Sequence, residues 1–287
     1  MRRFVLGAGL SMAMVSAGCG MNQISLTDEW PQMPAVQAFA PKAEVCHATV
    51  TASVDSRSYK PVDCAQKHLV QTLHVGQLSG DIATRAAPPV LSDPTAEPVY
   101  AECDKGVKAR LGRDWRDFRL NIVVRVPTAA AWTGGARWVT CDAVVPRDLA
   151  RMDDNDLIAQ EGLLTGPALD RLLLGCFSYT SAPSASLTGV ECTTPHNAEY
   201  VGTESMPAGT KYPAAESDWD KLHEKCFVLT AAFVGVARSA LTIGVSSWIE
   251  SESRWRGGDR SIRCYLWLDE KTMSASAKGS RGLGIPS

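Results

Sequence analysis

Apolar residues recur in this chain at helical intervals in two places and fall into short β-type runs elsewhere. Tyr100, Cys103, Val107 and Leu111 stand three, four and four residues apart, one stripe of a helix. Trp219, Leu222, Cys226, Leu229 and Phe233 form a second stripe, with Ser217 and Asp220 placed as a capping pair at its start. Three short β-type runs precede each stripe: a run around Cys46, SYKPVDC and LVQTLHV before the first, CFSYT, SLTGVEC and AEYVGTE before the second. Two more follow each, FRLNIVVRVP and RWVTCDAVV, then IGVSSWIES and RSIRCYLWL. The order strand, strand, strand, helix, strand, strand is therefore predicted twice. It makes an α+β domain with a mainly antiparallel sheet and one covering helix.

The elements recur because the chain reads as a tandem duplication. Eight cysteines fall into two groups of four, Cys46, Cys64, Cys103, Cys141 and Cys176, Cys192, Cys226, Cys264. Their gaps run 18, 39, 38 and 16, 34, 38. A histidine stands four residues after the second Cys of each group, His68 and His196. The template W-x-G-G-x-R-x-x-x-C spans 132–141 and again 255–264. Copies are expected at 44–168 and 169–287. The first carries an extra charged stretch, RDLARMDDND (Arg147 to Asp156), expected to be exposed. Gly134-Gly135 and Gly257-Gly258 sit where a tight turn between the last two strands is expected, with the Trp packed over it and the Arg stacked on the Trp.

Composition bounds the function classes. The 287 residues are 45% hydrophobic with a formal net charge of -2, so nothing suggests a nucleic-acid surface. The ninth cysteine, Cys19, follows a basic pair (Arg2, Arg3) and an apolar run, Phe4 to Val15, too short to span a bilayer. SAGC resembles a bacterial lipobox, with Ser16 where an aliphatic residue is usual. Residues 1–18 are expected to be a lipoprotein signal peptide and Cys19 the lipidated N-terminus; a plain secretory signal is the alternative. Residues 19–43, broken by three prolines, read as a tether. The expected partners are then the membrane, through a lipid anchor on its outer face, and an envelope protein or cell-wall component. In an oxidising compartment the eight remaining cysteines suggest four disulfides, two per copy. Each group allows three pairings, and spacing does not choose among them. Zinc is the rival use, but its sites favour C-x-x-C pairs and these gaps are long.

The chain has no H-E-x-x-H, G-x-S-x-G or Walker loop. His196 with Glu199 is the best acid–base or metal pair, and His223 the only third ligand in view. An offset of three on an extended strand sets two side chains on opposite faces unless Asn197 turns the chain. The first copy has Gln71 in the Glu position, a poor ligand and no base. Neither an enzyme nor a metal or other cofactor is expected.

The segment CTTPHNAEYVG, with Cys176-Phe177 before it and WRGGDR before Cys264, resembles the septum-formation-related domain family of actinobacterial envelope proteins. The second copy follows that family's pattern throughout. The first keeps its four cysteines, His68, Trp132 and Arg137 but departs at Lys67 and Gln71. The resemblance implies an exported or membrane-attached protein with a link to cell division and no known reaction. Tether, duplication and the lack of a catalytic signature favour a non-catalytic binding module; a hydrolase using His196 and Glu199, and a structural spacer, are the alternatives. Gln71 and Ala136 stand in the first copy where the second has Glu199 and Asp259. His196, Glu199, Trp255, Asp259 and Arg260 are therefore expected to form the binding face.

Overall fold

Ten short strands and five helices form among the described residues of the computed structural model, which are 39–51, 54–149, 156–180 and 186–286. In chain order they are β1 (Val45–His47), β2 (Pro61–Val62), β3 (Val70–Gln77), α1 (Glu97–Leu111), β4 (Asn121–Arg125), α2 (Ala129–Thr133), β5 (Trp138–Val144) and α3 (Gly166–Asp170). The second half follows with β6 (Cys176–Thr180), β7 (Ser186–Val190), β8 (Ala198–Ser205), α4 (Glu216–Val234), β9 (Gly244–Trp248), α5 (Glu252–Gly257) and β10 (Ser261–Trp267).

The strands make two antiparallel sheets of one order, β2-β1-β3-β5-β4 and β7-β6-β8-β10-β9. The likeness reaches single residues. Leu73 on β3 and Val201 on β8 each interrupt the register with β5 and β10, a bulge five residues after His68 or His196. The α+β class, the antiparallel sheets and the succession of five strands and one long helix in each half are as the sequence predicts.

In each half the first cysteine pairs with the second and the third with the fourth. Cys46–Cys64 and Cys176–Cys192 close loops with separations of 18 and 16. Cys103–Cys141 and Cys226–Cys264, both with separation 38, bolt the long helix onto β5 and β10, the strands beside the central ones. Val99, Cys103 and Val107 are the buried stripe of α1, and Leu222, Cys226 and Val234 belong to that of α4. Gly112 at φ 75 and Gly235 at φ 84 end these helices in the left-handed cap only glycine adopts cheaply.

Three local expectations need correction. No tight hairpin joins the last two strands; α2 and α5 lie there, and the Gly pairs end these short helices. Thr128 and Ser251 cap them, each accepting from a backbone N–H in the first turn. Ser217 and Asp220 do not cap α4. The helix begins at Glu216, and Asp218 accepts from the Ala215 N–H at 3.5 Å. The extra stretch of the first half is not uniformly exposed, because Leu149 is buried in the second half's core beside Phe177, Tyr200 and Tyr265.

Leu149 belongs to a larger union of the halves, which lie in one compact unit, residues 38–287. The sheet face turned away from α1 is closed by its own half and the residue run just before it, where Val54, Tyr59 and Phe39 pack on Trp138. Its buried Asp142 takes hydrogen bonds from Arg125 and Thr72. In the second half the corresponding face receives residues of the first. Tyr200 donates its hydroxyl to Asp117 at 2.9 Å, and Arg263 donates to the carbonyls of Arg116 and Leu120 at 3.1 and 2.9 Å. The two sheets have one plan and unlike surroundings.

Candidate functional site: the cleft between the sheets

Both W-x-G-G-x-R segments use Trp and Arg to hold backbone. Trp132 donates its indole N–H to the Arg85 carbonyl at 2.7 Å, and the Arg137 guanidinium lies 4.0 Å from that Trp's ring. Trp255 donates to the Thr210 carbonyl at 2.9 Å, and Arg260 Nε to the same oxygen at 3.2 Å. Trp255 is buried and unavailable to a partner. Arg260 also reaches across to the first half, where Nη1 meets Glu97 at 3.0 Å.

Asp259 makes the same crossing. Its Oδ1 accepts from Arg116 Nη2 at 2.5 Å, and the two side chains are only 7% and 6% exposed. Arg116 is held as well by Asp104 at 2.6 Å and Asp114 at 3.3 Å, and its guanidinium lies 4.1 Å from the Trp115 ring. Burial opposes charge on Arg116, but the three carboxylates outweigh it and raise the group above the ordinary arginine range. Burial likewise pushes the Asp259 carboxyl up, and Arg116 and Arg254 overcome it, so its net shift is downward. The glycines allow this approach. A Cβ on Gly258 (φ 128) would come 2.7 Å from the Glu97 Cα, and one on Gly257 would run into the Leu91 carbonyl. In the first half Gly135 (φ 93) faces open space, so there the glycine serves backbone conformation alone.

These residues line a cleft of about 210 Å³ between the halves. Its walls carry both signs of charge, with Glu97, Asp104 and Asp259 facing Arg116, Arg254 and Arg260. Tyr100, Trp115 and Met206 add apolar surface, and the exposed Ala101 and Ala208 also line it. The fixed donors, acceptors and ring faces suit an oriented polar ligand or peptide segment better than a hydrocarbon.

The expected binding face is therefore divided. Asp259 and Arg260 line the cleft; His196, Glu199 and Trp255 do not. His196 and Glu199 are 1% and 3% exposed. Nor do they point apart, since His196 precedes β8, outside the strand's alternation. A ring nitrogen, a Glu199 oxygen and Cys176 Sγ lie within 4.8 Å of one another. His196 Nδ1 lies 2.7 Å from the Thr194 carbonyl, which can only accept, so Nδ1 bears the proton. Glu199 accepts from Ser276 Oγ and from the Ala277 N–H, the latter at 2.8 Å, and so fastens the segment after β10. Gln71 does the same in the first half, accepting from Leu164 N–H at 2.8 Å. Glu199→Gln should therefore change stability by less than about 1 kcal/mol. Glu199→Ala, which leaves a buried N–H without its acceptor, should cost about 1–3 kcal/mol in urea denaturation. His223 lies on α4 beside Trp219, outside this cluster. The expected signal peptide, Cys19 and the tether up to residue 38 lie outside the described residues.

A family model described as septum formation matches residues 43–264, taking in both sheets in one stretch. No curated protein and no solved structure matches the chain.

Proposed function

Since the chain belongs to the septum formation family, we propose that it is an exported envelope lipoprotein, anchored through Cys19 to the outer face of the cytoplasmic membrane, that serves septum formation as a non-catalytic binding module. Its two halves are read as products of tandem duplication, and the cleft between them as the site for an envelope protein or cell-wall component. The cleft carries this reading. It is the place where a ligand would meet fixed charges of both signs on two disulfide-stapled sheets. Four disulfides favour an oxidising compartment. Among the described residues no helix is long and apolar enough to cross a membrane. Burial of His196 and Glu199 disfavours the hydrolase reading.

Cross-linking in intact cells followed by capture of the tagged chain tests this. Ala208→Trp fills the cleft mouth from an exposed position and should abolish the dominant cross-linked partner, with a thermal midpoint within a few degrees of the parent. Val228→Ser, on the exposed side of α4, should retain it. Cys19→Ala should block processing or release the chain from the membrane fraction. Full capture by Ala208→Trp would remove the cleft as the recognition site. A mature wild-type chain recovered soluble, beginning elsewhere than Cys19, would remove the anchor.

A further inference from the structure

We propose that reduction of Cys176–Cys192 converts the end of the second sheet into a zinc site, with Cys176, Cys192, His196 and Glu199 as ligands. The arrangement around the bridge is that of a prepared metal site with its sulfurs joined. A His196 ring nitrogen, a Glu199 oxygen and Cys176 Sγ already lie within 4.8 Å of one another, and all three residues are buried. Because Nδ1 donates to the Thr194 carbonyl, Nε2 carries the lone pair, and it is buried without a hydrogen-bond partner. A ligating histidine ordinarily donates its other N–H to a carbonyl or carboxylate in this way, which fixes ring and tautomer together. Glu199 is oriented too, by Ser276 Oγ and the Ala277 N–H, and each of its oxygens keeps a second lone pair. Two thiolates, an imidazole and a carboxylate make a donor set that zinc takes tetrahedrally.

The bridge holds this site closed. A dithiol reductant supplies two electrons and two protons, becomes a disulfide, and leaves Cys176 and Cys192 as thiols. Zinc binding then displaces both thiol protons to solvent. The half-exposed Cys192 offers the attacking thiolate a sulfur, with the buried Cys176 as leaving group. Both partners of Cys103–Cys141 and of Cys226–Cys264 are buried, so those bridges should resist longer.

The first half is an internal control. Cys46, Cys64 and His68 repeat the set, and His68 Nδ1 likewise lies 2.8 Å from a carbonyl, that of Gln66. There Gln71 replaces the carboxylate with a neutral amide, whose nitrogen is buried without a partner. Zinc should therefore prefer the second half.

The experiment uses the full chain, treated with a phosphine reductant under native conditions, with thiol mapping to show which bridges open. Zinc is counted by elemental analysis, and cobalt(II) serves as a spectroscopic probe of thiolate ligation. Oxidised protein should bind neither metal at this site. Reduced protein should bind one tight zinc equivalent and show sulfur-to-cobalt charge-transfer absorption. Glu199→Gln, which keeps the acceptor for Ala277, should weaken zinc by more than about tenfold. Gln71→Glu should add a second tight equivalent. The proposal is overturned if the reduced wild type binds no zinc, if Glu199→Gln binds as tightly as the parent, or if Cys176–Cys192 opens only with loss of the sheet's circular dichroism. Because no readout involves the cleft, these outcomes are independent of the partner-capture test.

Discussion

Asp259→Ala should destabilise the protein by about 3 kcal/mol, the lower end of the range for breaking a buried ion pair. The loss falls on Arg116, which stays buried with Asp104 and Asp114 but without its closest carboxylate. Because Asp259 joins the halves, the variant should also lose cooperativity, with urea unfolding broadening or separating into two transitions. Replacing both partners, Arg116→Met with Asp259→Leu, should recover much of the stability, since the cost lies chiefly in stranding one charge. The pair also gives a pH dependence of known sign. Against its burial, Arg116 and Arg254 hold the Asp259 carboxyl below the ordinary aspartate value of 3.8, so its contribution is full above about pH 4 and fades as pH falls through the folded value. Asp259→Asn should flatten the acid limb of the stability profile below pH 4. An unchanged single transition in Asp259→Ala, with the parental acid limb, would show that the pair does not hold the halves together.

The same residue marks the limit of what the sequence reveals. Cysteine gaps, the two histidines, the repeated Trp-Gly-Gly-Arg segment and the apolar periodicity are local in the chain, so the succession of strands and long helix and the α+β class were legible from them, whereas the order of strands within each sheet was not. Asp259 was legible only as a difference from Ala136, and that difference suggested a carboxylate left over for a partner. Its true neighbour, Arg116, stands 143 residues away with no spacing rule to connect them. Where two halves of like plan pack on each other unequally, the positions that differ between them include those at which they touch. The contrast of Glu199 with Gln71 misled differently. Compared by charge they diverge, whereas both present a side-chain oxygen to a backbone N–H, of Ala277 or Leu164. Cleft residues such as Tyr100 and Met206 gave no sequence signal, because apolar residues at helix and strand positions read first as core. The cysteine pairings could not be read either, since each group of four permits three, and only helix-on-sheet packing brings Cys103 to Cys141 and Cys226 to Cys264.

Removal of Cys226–Cys264 by paired alanines should cost about 4 kcal/mol, among the largest effects of any local change in this molecule. Chain entropy in the unfolded state supplies most of it: cross-linking across 38 residues removes more freedom than across 16. The loop-closure relation gives about 3.9 kcal/mol for the longer loop and about 3.1 for that of Cys176–Cys192. Packing acts in the same direction. Cys226 and Cys264 lie beside Leu222, Trp255 and Ile262 in the core beneath α4, so alanines leave a void where the sulfurs were. At Cys176–Cys192 one residue is half-exposed, and water can fill part of the space. The order of urea midpoints should therefore be parent, then Cys176→Ala/Cys192→Ala, then Cys226→Ala/Cys264→Ala. Cys103→Ala/Cys141→Ala should resemble the last, since its loop has the same length and its partners are equally buried. If the outer bridge costs as much as the inner ones, neither loop length nor burial governs the stapling, and strain or residual structure in the unfolded chain must replace them.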